Sequence, residues 1–139
     1  RLVLLVQQEV ARRISARPGQ SSFSALSVRM QLLAECHSVC PVPPRCFQPP
    51  PKVQSEVISL DPRPVNERLP QAVAKQLEHL LRLAFGARRK MIRNTLASAA
   101  PACGLDSWLD DAGVTPQQRP QEIAPQQWVA LAAALQPAL

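Results

Sequence analysis

The sequence predicts an α/β part followed by a small all-α part, and three observations carry that prediction. An unbroken aliphatic run, Leu2 to Val6, feeds directly into a helical pattern. Nine of the fifteen prolines fall between Pro41 and Pro70, whereas residues 71–100 hold no proline and one glycine. Val53 to Leu60 (VQSEVISL) alternates well enough to be a strand. The division this implies is an α/β part over residues 1–62 and a helical part over 63–139. Between them Asp61 to Pro70 (DPRPVNERLP) reads as a rigid, proline-set linker.

Each element follows from local pattern. Leu2 to Val6 has strand length, and its lack of polar residues predicts a strand covered on both faces, as in a parallel sheet. Gln7 to Ala16 places Val6, Val10 and Ile14 at helical spacing, and Pro18-Gly19 ends that helix. Ser21 or Ser22 is placed to cap a second helix, Phe23 to Ala34, with Phe23, Leu26, Met30 and Leu33 on one face. A short strand is expected over Cys36 to Val42, then an ordered loop over Pro41 to Pro51, then the strand Val53 to Leu60. Strand, helix, helix, strand, loop, strand is the closing portion of an α/β sheet, and a complete sheet needs more strands than these. The chain opens at Arg1, without methionine and already in a strand-like run, so the expectation is a fragment lacking an N-terminal part.

In the helical part, Gln71 to Gly86 buries Val73, Leu77, Leu80, Leu81, Ala84 and Phe85 along one stripe. Arg88 conflicts with that stripe, because an unbroken helix would carry it onto the apolar side that Met91, Ile92 and Leu96 resume. Either the helix breaks near Gly86, where glycine weakens a helix interior, or Arg88 is held for a purpose. Trp108 and Leu109 belong to a short helix capped by Asp106 or Ser107. Trp128 to Leu135 belongs to a final Ala-rich helix started near Pro125.

Composition excludes several classes. Hydrophobic residues make up 46% and charged residues 19%, which is a folding chain and not a disordered tail. The longest run of leucine, valine and isoleucine is five residues, against ~20 for a bilayer span, and is too short for the apolar region of a secretory signal. Gly19, Gly86, Gly104 and Gly113 stand far apart, so no glycine-rich phosphate-cradling loop can be written from this chain. The net charge of +6 is unevenly placed: residues 1–62 carry +3, residues 63–100 carry +6, and residues 101–139 carry −3. A basic centre of this kind is either a docking surface for phosphates or a solvated helix face. Cys36, Cys40, Cys46 and Cys103 contain no C-x-x-C pair, so no metal site is expected and they read as buried thiols of a reducing compartment. His79 reads as a surface or core residue, and two histidines do not define a hydrolytic triad.

Five segments resemble one family. LVQQEVARR (5–13) is similar to an LQ-x-EVA-x-R segment, LSVRMQ (26–31) to LSV-x-x-Q, and VPPRCFQPPPKVQS (42–55) to VPP-x-x-F-x-P-x-PKV-x-S. AFGARRKMIRNTL (84–96) is similar to AF-x-x-RRK-x-x-RN-x-L, and residues 113–122 echo G-I-D-x-x-x-R-x-E. All are segments of the bacterial ribosomal RNA adenine N6,N6-dimethyltransferases, which modify two adjacent adenines near the end of small-subunit rRNA. The resemblance spans nearly the whole chain, and the FxPPPKVxS and RRKxxRN motifs together make it specific. The last segment departs from the family pattern: Thr115 stands where the aspartate is usual, and the glutamate after Arg119 falls one position late. The family's cofactor loop, ribose-binding acid and Asn-Leu-Pro-Tyr motif are absent, which matches a C-terminal half.

The resemblance implies the last strands of a Rossmann-like S-adenosylmethionine-dependent methyltransferase sheet, followed by a helical rRNA-docking domain. It also implies a cytoplasmic enzyme, acting as a monomer on the small ribosomal subunit, whose cofactor is held mainly by the missing half. No catalytic or cofactor-binding residue is assigned within this chain. An adenine N6 amine is a weak nucleophile hidden in the base stack, so such enzymes extrude the base and hold it. Phe47 matches the motif phenylalanine thought to pack on the target adenine; its other reading is a plug holding the loop to the sheet. Pro49, Pro50 and Pro51 stiffen that loop. Lys52 either meets a phosphate or is simply solvated. Arg88, Arg89, Lys90 and Arg93 are four cations within six residues, which repel one another without an anion, and with Arg119 they are the expected contacts to the RNA backbone. Two other readings remain open on the residues alone: a non-catalytic RNA- or ribosome-binding module, and a helical adaptor whose charge only aids solubility.

Overall fold

The computed structural model describes residues 1–135, and residues 136–139 at the end of the expected helical part lie outside the described residues. Three strands, β1 (Leu2–Gln7), β2 (Ala34–Val42) and β3 (Ser55–Pro62), form a sheet in the order β1-β3-β2. Both pairings are antiparallel, with Leu4 opposite Ile58 and Cys36 opposite Leu60. A register shift between Ser38 and Cys40 bulges β2 at Val39.

The expected surroundings of β1 are corrected. It pairs antiparallel with β3, and among the described residues nothing pairs with its other edge. Leu2, Val3, Leu4 and Leu5 are all exposed, Val3 at 63%. β3 begins at Ser55, two residues later than its alternation suggests, and runs through Pro62. The chain then leaves the sheet through a 3₁₀ turn, Val65–Glu67. There Arg63 Nε and Nη2 both donate to the Gln31 carbonyl, at 3.0 and 2.8 Å, fastening the proline passage to the helix beneath it.

Helix α1 (Gln8–Ser15) follows β1 directly. Helix α2 (Ala25–Leu33) starts later than predicted, because Ser24 caps it and neither Ser21 nor Ser22 does. The Ser24 N–H donates to Ser27 Oγ at 2.9 Å, and the buried Ser27 hydroxyl donates in turn to the Arg13 carbonyl, joining α2 to α1. α2 buries residues on two sides, not one. Val28, with Phe23 just ahead of the helix, belongs to the helical cluster, Leu26 and Met30 face the sheet, and Leu33 is exposed.

The helical part is α3 (Gln71–Phe85), α4 (Ile92–Thr95), α5 (Leu105–Asp111) and α6 (Pro125–Ala133), linked by turns and single 3₁₀ turns. α3 buries Val73, Leu77, Leu80, Leu81 and Ala84, as its spacing predicts. α5 is not capped by Asp106 or Ser107: its cap is Gly104, whose φ of +96° lies in the region open to glycine at least strain. Trp108 and Trp128 are fully buried beside α3, and Trp108 Nε1 donates to the Leu131 carbonyl at 3.0 Å. Phe85 lies 5.8 Å from Trp128, ring centre to ring centre.

Two apolar clusters result. The smaller, under the sheet, holds Ala11, Ile14, Ala34, Ile58 and Leu60. The larger joins the helices, but Ala16, Phe23 and Val28 from the first sixty-two residues belong to it. Arg29 crosses between the two parts as well, its Nε and Nη2 donating to Glu78 Oε1 and Oε2 at 2.6 and 3.0 Å. Among the described residues no helix is long and apolar enough to cross a membrane.

Candidate nucleic-acid interface

The basic segment is shaped by the end of α3. Gly86 caps that helix, and residues 87–91 form a turn in which the Lys90 N–H donates to the Ala87 carbonyl at 3.0 Å. Both alternatives raised by Arg88 hold at once: the helix breaks, and Arg88 is held. Its Nη2 donates to the Ser21 and Phe23 carbonyls at 2.8 and 2.9 Å, and its guanidinium lies 5.9 Å from the Phe85 ring centre. Arg88 is therefore half-buried and engaged within the fold, while Arg89, Lys90 and Arg93 beside it are exposed.

Arg119 joins them through the backbone. The Ile92 N–H donates to the Gln118 carbonyl at 2.7 Å, and the Arg93 N–H to the Pro116 carbonyl at 3.2 Å. The start of α4 thus runs against the segment leading into Arg119, which stands exposed before the 3₁₀ turn Pro120–Glu122. Among the described residues none of Arg88, Arg89, Lys90, Arg93 and Arg119 forms an ion pair. The opposite is true of Arg29 and Arg13, which are matched to Glu78 and Glu9.

Phe47 sits at the far end of the sheet. Pro44–Cys46 form a 3₁₀ turn in which the Cys46 and Phe47 N–H groups donate to the Pro43 and Pro44 carbonyls at 3.0 and 3.1 Å. Phe47 closes that turn, is half-buried, and belongs to neither apolar cluster. The loop's return is pinned by the Gln8 N–H, which donates to the Gln54 carbonyl at 2.9 Å, so the loop meets the first residue of α1. Lys52 is exposed, without an ion pair among the described residues.

Two features escape sequence reasoning. The first is a shallow groove lined by Arg12, Ser15, Ala16, Gln20, Ser21 and Ser22 at the end of α1. Its signal, a second arginine beside Arg13, is uninformative until Arg13 is seen to pair with Glu9 and Arg12 with no carboxylate among the described residues. The second is the placement of Glu35 opposite Asp61, with His37 two residues along β2, so that one ligand atom from each lies within 4.8 Å of the others. Arg1 Nε already bonds Asp61 there at 2.9 Å, and that bond holds the Asp61 carboxyl below its usual range.

The cysteines are corrected in part. Cys36 is half-buried, but Cys40, Cys46 and Cys103 are exposed, and all four are free. Burial pushes the Cys36 thiol above its ordinary value, with the nearby Arg63 charge working the other way.

The fold recurs in known proteins. A dimethyladenosine transferase from Plasmodium falciparum is similar over 93% of this chain and 54% of its own, with a TM-score of 0.72 at 22% identity. The 23S rRNA methyltransferase ErmE is similar over 96% of this chain and 53% of its own, with a TM-score of 0.70 at 29% identity. Both of these structural neighbours are methyltransferases. The model of the ribosomal RNA adenine dimethylase family matches residues 1–136, and the chain belongs to that family. It is 88% identical over its whole length to ribosomal RNA small subunit methyltransferase A of Synechococcus sp. (strain RCC307), and covers 51% of that protein. The protein of the same name from Parasynechococcus marenigrum (strain WH8102) is 69% identical over 135 residues and is covered to 45%. The chain spans about half the length of the curated relatives it matches.

Proposed function

We propose that this chain is the target-base and RNA-docking half of an S-adenosylmethionine-dependent enzyme that dimethylates N6 of two adjacent adenines near the 3′ end of small-subunit rRNA. The observation that carries this reading is the meeting of the 89–93 segment with the Arg119 segment. Family membership supplies the context: exposed cations without carboxylate partners, brought together by backbone bonds, on an rRNA adenine dimethylase chain.

Arg89, Lys90, Arg93 and Arg119 bind phosphates, and Lys52 adds a contact beside the base loop. Such contacts set register and affinity but do not read sequence, so selectivity comes from RNA shape and from the extruded base. Phe47 stacks on that base. Its place outside both apolar clusters supports stacking over a plug, and base–aromatic stacking is worth ~1–3 kcal/mol. Arg88 acts differently from its neighbours in the motif: it is a positioning residue that ties the basic turn to the residues ahead of α2.

S-adenosylmethionine supplies an electrophilic methyl group when bound. The four separated glycines of this chain provide no cradle for it, so its site is assigned to the remaining half of the protein. The same half supplies further Rossmann-like strands, the first of them along the free edge of β1, and residues 63–139 serve as the docking domain. The complete protein works as a cytoplasmic monomer.

The test uses the complete reading frame and small ribosomal subunits whose terminal adenines are unmethylated. Labelled methyl groups should pass from S-adenosylmethionine to two adjacent adenines. Absence of incorporation with salt-dependent subunit binding intact would refute the enzyme and leave a binding module.

A further inference from the structure

We propose that the phosphate-binding surface continues beyond Arg119 onto the α1–α2 turn, where Arg12 and Arg17, with the hydroxyls of Ser21 and Ser22, form a second site for the RNA backbone. This site deepens the RNA-docking reading above and rests on it.

The turn is fixed against both basic segments. The Gly19 N–H donates to the Gln121 carbonyl at 2.8 Å, two residues from Arg119. On its other side the Ser21 and Phe23 carbonyls accept from Arg88, the residue next to Arg89 and Lys90. A ligand lying on Arg89, Lys90 and Arg119 therefore has the turn as its immediate neighbour.

While its backbone is bonded into the fold, the turn's arginine side chains and the Ser21 and Ser22 hydroxyls have no partner among the described residues. Among the described residues Arg12 and Arg17 form no ion pair, while Arg13 is matched to Glu9 at 3.3 Å. Ser24 and not Ser21 or Ser22 caps α2, and neither of those hydroxyls bonds a described residue. Arg12, Ser21 and Ser22 line the same groove. The C-terminal carbonyls of α1 are engaged by α2: Ser27 Oγ donates to the Arg13 carbonyl, and Gln31 Nε2 donates to the Ile14 and Ala16 carbonyls at 3.0 and 2.6 Å. Hydroxyls and exposed arginine side chains around an open groove suit a phosphodiester, which presents unesterified oxygens to both.

The site also lies on the way to the base. α1 begins at Gln8, bonded to the Phe47 loop through Gln54, and ends at Ser15 beside the groove. Eight helical residues span ~12 Å, and Arg12 is exposed along that span. An RNA strand running from the Arg89–Lys90 turn to a base held at Phe47 passes over it.

The experiment compares Arg12→Gln/Arg17→Gln with Arg89→Gln/Lys90→Gln in the complete protein. Affinity for unmethylated small subunits and for protein-free small-subunit rRNA is measured over a salt series, with denaturant unfolding alongside. Each lost phosphate contact should lower the salt slope by ~0.7–0.9, so Arg12→Gln/Arg17→Gln should lower it by roughly 1 to 2 on both targets, without changing the unfolding midpoint. Arg12→Lys/Arg17→Lys should restore the slope. Ser21→Ala/Ser22→Ala should weaken binding a few-fold at unchanged slope. An unchanged slope for Arg12→Gln/Arg17→Gln, beside a reduced one for Arg89→Gln/Lys90→Gln, overturns this site and leaves the docking reading standing. Unchanged slopes in both overturn that reading as well. Weaker binding to subunits alone, with protein-free rRNA unaffected, overturns the site in favour of a protein contact.

Discussion

Replacing Arg88 by alanine separates an arginine bonded within the fold from the neighbours proposed above to bind phosphate. Two hydrogen bonds from a charged donor are lost, to the carbonyls of Ser21 and Phe23. Such bonds run to ~1.5–3 kcal/mol each, but both come from one nitrogen of a half-exposed side chain, so about 1 kcal/mol each is the appropriate scale. Loss of the guanidinium beside Phe85 adds ~0.5 kcal/mol. The total is roughly 2.5 kcal/mol, a fall in Tm of about 4–5 °C for a complete protein about twice the length of this chain. The assay is urea unfolding of the complete protein at constant m value, read with the salt slope of rRNA affinity. Arg88→Ala should lower the urea midpoint with little change of slope, and Arg89→Ala should do the reverse. Unaltered stability in Arg88→Ala with a slope lowered by ~0.7–0.9 would show that Arg88 binds phosphate and would refute the assignment.

Phe47→Ala in the complete protein should reduce methyl transfer by roughly 5- to 150-fold, the loss of one stacking contact of ~1–3 kcal/mol, while rRNA affinity changes only a few-fold; a large affinity loss at unchanged turnover contradicts the stacking role. Trp108→Phe should destabilise by about 1 kcal/mol more than Trp128→Phe. Both rings are fully buried, but only the Trp108 indole N–H has a partner, and that of Trp128 has none among the described residues; equal urea midpoints would contradict this. Alkylation of the native protein, followed by peptide mass spectrometry, should label Cys40, Cys46 and Cys103 ahead of Cys36. The Cys36 thiol is half-buried with its pKa raised, so it stays protonated to higher pH and its labelling should accelerate only above the ordinary thiol range.

Periodic elements were legible in the residues, and their surroundings were not. α3 and α6 stand where Leu77, Leu80 and Leu81, and Trp128 with Pro125, place them, because a helix stripe is a local property. The environment of β1 is non-local: Leu2 to Val6 has the composition of a strand covered on both faces, and here it lies at an edge paired only to β3. Arg88 was visible as a phase conflict, but only the fold identifies the carbonyls of Ser21 and Phe23, more than sixty residues earlier, as its partners. Of the site, Arg89, Lys90 and Arg93 could be read as one cluster because they are neighbours in sequence. The adjacency of Arg119 depends on the Ile92–Gln118 hydrogen bond, which no spacing rule reveals. The sequence does not single out Ser24 as the cap, since Ser21 and Ser22 offer the same chemistry, and the choice among them is made by Ser27 and its bond to Arg13.

α2 serves two cores, which makes the proline passage a poor place to cut the chain. A piece ending at Pro62 would expose Phe23 and Val28, which are fully buried among residues that come after it. A piece beginning at Arg63 would retain α3 and α6 but lack the side chains that fill the space between them and α2. Large buried groups removed in this way cost several kcal/mol, comparable to the whole stability of a small domain. Sheet and helices therefore form one cooperative unit, and a protease nicking between Asp61 and Pro70 should release two unfolding pieces and not two modules.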